Sequence, residues 1–344
     1  MKTKFLSLAT IAFLAILSIS CSTSDPEPTP PVVVIPPPVI NNTGDLKLFV
    51  IDTAKVNIIT MTGTNETTIL NRKVNLNSYI GSLSLNNDAS KFVYVDNQSS
   101  FTNGVGTYTK TVRVANANGS GDIAIYTAPA NTNTVTNDIG FVKFGASKIY
   151  FTTTSQTFVG GAVSNVVKLN SSNFDGTGLV AENYNAAPLS IYKSDVSSNG
   201  RYLATMQSAP NTPKFLVIDR NGDNGAGSVI FQENLSASLA TYVSNAVISF
   251  DNKFAYYAFV ENQSIKVKIV NMTTLLSETK TIATGFTATS FFMTVSVGSD
   301  NNRGVVVVDS YNNLPTKSYV FNLASSSSTT FNNNDKTITY IKAF

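Results

Sequence analysis

The stretch SLSLNNDASKFVYV, Ser82 to Val95, is two alternating runs joined by a polar corner, with one basic residue leading into the second run. Alternation at period two marks a half-buried strand, and an Asn/Asp-rich corner between two such runs marks a turn. The chain writes this pattern four more times, as VKFGASKIYFT (142–152), VSSNGRYLAT (196–205), ISFDNKFAYYA (248–258) and VGSDNNRGVVVV (297–308). The basic residues of the five copies are Lys91, Lys148, Arg201, Lys253 and Arg303, spaced by 57, 53, 52 and 50 positions.

A second series runs between the first. VRVANANG, VVKLNSSNFDG, FLVIDRNG, VKIVNMTT and YVFNLASS each end a strand on Asn or Asp, with anchors at Asn116, Asn170, Asp219, Asn271 and Asn322. Two interleaved series with one period near fifty, and about four short strands per period, specify the blades of a β-propeller. No long helical period interrupts them. Five units carry both anchors. A sixth begins at Asp45 with only three strands, DLKLFVID, KVNIITMTG and ETTILN, and KTITYIKAF (336–344) is left over at the other end. The expectation is an all-β, six-bladed propeller of four-stranded blades over residues 45–344. Its C-terminal strand closes the ring as the innermost strand of the first blade.

The corner, written loosely S-x-[DN]-[GN]-[KR]-[FYI], resembles the SPDGK repeat of TolB-type propellers, and the VID and KLN strand ends resemble that family's strand ending in Asp. The resemblance covers roughly residues 45–344 and leaves out that family's separate N-terminal domain. The repeat's proline is absent from every copy, and its glycine survives in SSNGR and loosely in FGASK. The resemblance implies a propeller that serves chiefly as a protein-binding scaffold.

Composition narrows the chemistry. The 344 residues contain no histidine, which excludes Ser-His and Cys-His catalysis and every His-ligated metal site. There is no tryptophan, so 14 tyrosines and 21 phenylalanines carry whatever stacking the protein does. The net charge is +3. Lys2 and Lys4 fall in a segment expected to be removed, leaving 22 basic residues against 21 acidic ones, a balance without the excess that nucleic-acid binding needs.

Cys21 is the only cysteine, which precludes an intrachain disulfide. It follows Lys2 and Lys4, the apolar run Phe5–Ile19, and Ser20. This is the layout of a secretory signal, too short and wrongly flanked for a spanning helix. With cysteine at the cleavage point it resembles a bacterial lipoprotein signal, which implies acylation of Cys21. Leu17 stands one place earlier than such signals usually carry their leucine, and Ser18 takes its place. Residues 1–20 are thus expected to be the signal peptide. Residues 21–44, with seven of the twelve prolines, are expected to be a stiff, extended tether. The expected location is the cell envelope, lipid-anchored, in the outer membrane, as a monomer.

Local motifs add no cofactor or metal. Asp219, Asn221 and Asp223 imitate the start of a calcium loop, but Asn224 stands where the loop needs glycine and Ile230 where it needs glutamate. Asp195 and Glu182 are available carboxylates with no spacing that forces them together, so no catalytic residue is nominated. Two functions stay open: a non-enzymatic scaffold for an envelope protein or polymer, and a polysaccharide-capturing or polysaccharide-cleaving propeller using carboxylates and tyrosines. A central channel holding two or three carboxylates would favour the second; a channel of Ser, Thr and Val would favour the first. In either case the face opposite the short corners is expected to bind, through loops 96–109, 154–164, 207–213 and 310–316. The candidate anchors are Phe101, Phe158 and Tyr311, with Tyr184, Tyr192 and Tyr242 on the connections between blades.

Overall fold

The computed structural model describes residues 46–343 except 61–64, 73, 75–76, 87–89, 103–104, 183–192, 208–213, 223–226, 236–242, 288–290, 299, 311–316, 325–326 and 333–336. Residues 1–45, which hold the expected signal, Cys21 and the tether, lie outside that description. Every described element is a strand.

Twenty-four strands form six antiparallel sheets of four. The first blade orders β24 (Thr337–Ala343), β1 (Leu46–Asp52), β2 (Lys55–Thr60) and β3 (Thr67–Asn71). The second is β4 (Tyr79–Leu85), β5 (Lys91–Thr102), β6 (Val105–Asn116) and β7 (Ile123–Thr127). The third is β8 (Val135–Phe144), β9 (Ile149–Val159), β10 (Ala162–Ser172) and β11 (Val180–Glu182). The fourth is β12 (Ser194–Val196), β13 (Tyr202–Gln207), β14 (Lys214–Asp219) and β15 (Ser228–Asn234). The fifth is β16 (Val247–Ile248), β17 (Phe254–Glu261), β18 (Ser264–Asn271) and β19 (Ser277–Thr284). The sixth is β20 (Phe291–Val297), β21 (Arg303–Ser310), β22 (Lys317–Asn322) and β23 (Ser327–Asn332).

The first strands of the blades touch in ring order: β4, β8, β12, β16, β20, β24 and back to β4. The ring is closed by the last strand, as the leftover KTITYIKAF implied: β24 pairs with β1 from Leu46↔Ala343 to Ile51↔Thr337. Closure gives β1 a partner on both sides and leaves no open edge at the first blade's core.

Alternation along the middle strands sends successive side chains to opposite neighbours. Phe92 and Tyr94 pack toward the first blade, while Val93 and Val95 pack toward the third. The result is six apolar clusters, one between each adjacent pair of blades. Each fully buried Phe, Val or Ile in them contributes roughly 1.5–3 kcal/mol relative to exposure. The inward corners of neighbouring blades are also hydrogen-bonded. Asn252 and Asn301 hold φ of 58° and 55°. From there their side-chain oxygens accept the N–H of Ser198 (2.7 Å) and Phe250 (2.9 Å) of the preceding blade.

Two sequence readings need correction. The strand-end anchor of the third blade is Asn173, not Asn170. Asn173 caps its hairpin through Thr177 as Asn116 does through Ser120, and both sit 25 residues after their basic residue. The basic series also occupies two adjacent places. Lys91 and Arg303 pair directly with the anchors Asn116 and Asn322, whereas Arg201 and Lys253 come one residue earlier, since Tyr202 and Phe254 take the pairing place. Both are turn chemistry: Arg201 forks onto Asp219, and Arg303 bonds Asp300 at 2.6 Å.

Candidate functional site

The inner strands enclose a central channel of about 190 Å3. SLSL (82–85) and MTVSV (293–297) line it through Ser82, Ser84, Thr294 and Ser296 interspersed with valines, whereas of DVSS (195–198) only Asp195 does, with Ser194 beside it. Among the described lining residues there is one carboxylate, Asp195. Its Oδ2 accepts from Lys143 Nζ at 3.0 Å on the third blade and from the Ile248 N–H at 2.8 Å on the fifth. Its Oδ1 accepts the N–H of Val196 at 2.9 Å. Asp195 therefore ties three blades together. The neighbouring contacts follow the same plan. Ser82 and Ser84 accept the N–H groups of Val142 and Phe144, and Asn245 makes a two-way amide pair with the Val295 backbone.

Glu182, the other carboxylate considered, lies far out on β11. Burial works against its ionisation. The Ser171 hydroxyl and the Arg220 and Lys148 cations outweigh that and hold its carboxyl below the ordinary range. Arg220 comes from the fourth blade, lies at 2.5 Å from Glu182 and covers the Tyr150 ring, so this is a second latch between blades. Asp195 and Glu182 thus stand at opposite ends of their sheets and form no pair. Among the described residues no group of three or more His, Cys, Asp or Glu is placed to hold a metal ion.

The loop face is different. Segments 96–109 and 154–164, read as loops, are continuations of strands. β5 and β6 pair from Lys91↔Asn116 out to Thr102↔Val105, and β9 and β10 from Ile149↔Ser172 to Val159↔Ala162. The latter closes on Gly160 and Gly161 with φ of 57° and 82°, the two positive values a tight primed turn needs. These hairpins are 12 and 11 residues long on each side, against 6 for β13 and β14, so adjacent blades two and three overhang the ring on one side.

Below the β5–β6 overhang lies an open cleft of about 580 Å3, and register explains its lining. Directly paired residues share a sheet face, as do residues two apart. Tyr79↔Asn97, Asn97↔Lys110 and Ser99↔Tyr108 therefore place Tyr79, Asn97, Ser99, Tyr108 and Lys110 on one face, the face whose Val93 and Val95 pack toward the third blade. Beyond the apolar interface the same face turns polar and aromatic. β4 stops at Tyr79, so the hairpin continues above it. Tyr79 and Tyr108 are 47% and 53% exposed. Lys110 is bonded to Asp138 of the third blade. Gln98 and Thr109, paired with each other, fall on the opposite face, where Gln98 donates to the Arg72 carbonyl (3.0 Å) and Asp96 (2.6 Å) and accepts from Ser78 (2.6 Å). Asn131, from the connection between blades, accepts the Asn137 N–H at 2.7 Å.

Of the expected anchors, Phe158 is on the loop face and 40% exposed. Its parity with Tyr150 turns it toward the fourth blade, away from the cleft. Phe101 falls within β5, and Tyr184, Tyr192, Tyr242 and Tyr311 lie outside the described residues. Sequence reasoning missed Tyr79 and Tyr108. The available signal was threonine at every second place, 107, 109 and 111, which marks a strand where composition reads as loop.

No protein-family model matches the chain, and no curated protein matches it in sequence. Solved structures match in fold. TolB from Acinetobacter baumannii superposes with a TM-score of 0.55 at 12% identity, over 87% of this chain and 66% of that one. A chain of the nidogen/laminin complex gives 0.55 and 12%, over 86% and 97%. The periplasmic gluconolactonase of Pseudomonas aeruginosa gives 0.47 and 10%, over 86% and 97%. The chain spans just under two thirds of the TolB chain, and at these identities the likeness is one of fold.

Proposed function

We propose that this chain is a lipid-anchored cell-envelope propeller that works by binding a protein or polymer partner on its loop face, without catalysis. The observation that carries the reading is the state of Asp195. A general acid or base needs a carboxyl oxygen within reach of substrate, and a glycosidase needs two carboxyls within roughly 5–10 Å of each other. Among the described residues the channel's lining holds one, and both its oxygens are engaged by three blades. The loop face, by contrast, offers exposed rings on rigid overhanging hairpins, the usual placement of binding anchors. The anchor itself rests on the Cys21 signal, and the outer membrane is the location that fits it.

Affinity capture from the protein's own envelope tests this. Wild type is expected to bring down a partner. Phe101→Ala, Phe158→Ala and Tyr311→Ala combined should weaken that capture, while Lys91→Ala with Lys253→Ala on the opposite face should not. Loss through the lysine pair alone would reverse the face. In the same strain Cys21→Ala should abolish fatty-acid labelling and move the protein out of the membrane fraction; label retained by that variant would overturn the anchor.

A further inference from the structure

The cleft under the β5–β6 hairpin has a chemistry of its own, and we infer that it holds a neutral polysaccharide chain. The inference rests on the loop-face reading above and names the class of partner.

Three features carry it. The first is the pair of tyrosines. Tyr79 and Tyr108 stand on one sheet face by register, each about half exposed. A pyranose ring presents a flat patch of C–H groups, and an aromatic face is the surface that covers such a patch and expels water from both. The second is the hydrogen-bonding inventory. On that face the rest of the lining is amide and hydroxyl: Asn97 and Ser99 by register, with Asn77 and Asn131 from the flanking connections, while Gln98 and Thr109, paired with each other, belong to the opposite face. Such groups both donate and accept, as sugar hydroxyls do. Asn131 is already held in place by the Asn137 N–H, so little ordering is left for the ligand to impose there. The third is charge. The one charged residue among the described lining, Lys110, is matched by Asp138, so those residues offer an anion no unmatched cation. Uronate, sulfate and phosphate are therefore not its ligands.

The same lining limits the chemistry to capture. Its described residues include no carboxylate, and hydrolysis of a glycosidic bond takes two. At about 580 Å3 and open to solvent, the cleft falls within the size range of small-ligand sites.

The test is affinity electrophoresis of the soluble chain through gels containing amylopectin, laminarin, galactomannan or xylan, with polygalacturonate as the anionic counterpart. At least one neutral polymer is expected to retard the wild type, and polygalacturonate is not. Tyr79→Ala with Tyr108→Ala should weaken that binding about tenfold or more, whereas Tyr79→Phe with Tyr108→Phe should keep most of it, since the rings remain. Both variants should melt with the parent. Retardation by no neutral polymer, retardation that survives the alanine pair, or preference for polygalacturonate each overturns the assignment. If envelope capture then still yields a protein that depends on the loop face, the scaffold reading stands and only the glycan falls. If capture depends on neither face, the scaffold reading falls with it.

Discussion

The central channel and the overhanging cleft are both lined by side chains of the blades' inner and middle strands, yet they use polar groups in opposite ways. In the channel, Asp195, Asn245, Ser82 and Ser84 each reach to the backbone or ammonium of a neighbouring blade. In the cleft, the one ion pair, Lys110 with Asp138, joins blades two and three, and Tyr79 and Tyr108 are left turned to solvent. A polar group at the axis of a closed ring is surrounded by parts of the protein that need partners. Above the ring Lys110 and Asn131 are bonded as well, and it is the two tyrosine rings that are left to solvent. Position along the strand decides whether a residue holds the fold or is available to a ligand.

That contrast can be broken from the structural side first. Deleting residues 336–344 removes β24 and exposes the inner edge of β1, so the domain should aggregate or lose its cooperative transition. A melt within a few degrees of the parent would show that closure is dispensable. A smaller effect is expected from Asp195→Ala, which strands the Lys143 ammonium and the Ile248 N–H together. The cost should be about 3 kcal/mol in denaturant unfolding, with binding at the cleft unchanged. A loss of binding without a loss of stability would make the channel the functional site after all.

The latch at Glu182 sharpens the comparison through pH. Its folded carboxyl titrates below the ordinary 4.5, so it releases its proton more readily folded than unfolded. Its contribution is therefore complete above the unfolded value and is lost as pH falls through the folded one. Glu182→Gln should cost about 1 kcal/mol at neutral pH and flatten the acid limb of the stability curve. An unchanged acid limb would mean that Arg220 and Glu182 do not couple the third and fourth blades. The smallest effect belongs to the tyrosine pair of the cleft, whose replacement by alanine should move stability by no more than about 0.5 kcal/mol. A larger cost would place those rings among the structural contacts.

The architecture was readable because it repeats. Two anchors per period of about fifty gave the blade count, and three strands at one end with one at the other gave the closure. The overhangs were not readable for a physical reason. Hydrophobic alternation reports burial of one face, and the outer part of this hairpin is written in Gln, Ser and Thr at successive places, so a paired strand loses the signature by which strands are found. The partners of Asp195 were hidden differently. Lys143 and Ile248 lie 52 and 53 residues away, one period each, and only the stacking of blades brings them together. Asn170 misled because a second asparagine follows three residues later in a blade whose strands run longer.

The pairing of β24 with β1 also sets an order in time. Phe49 lies opposite Tyr340, almost the whole folded chain away, and nothing else in the sequence takes that place. Until residues 337–343 have been made and delivered, five finished blades and three strands of the first wait with one ladder unfilled. Loop closure over such a span makes the final docking slow. The interval before it is when the inner edge of β1 is open to any other extended segment, so the most vulnerable moment of this protein's life comes just before the ring shuts.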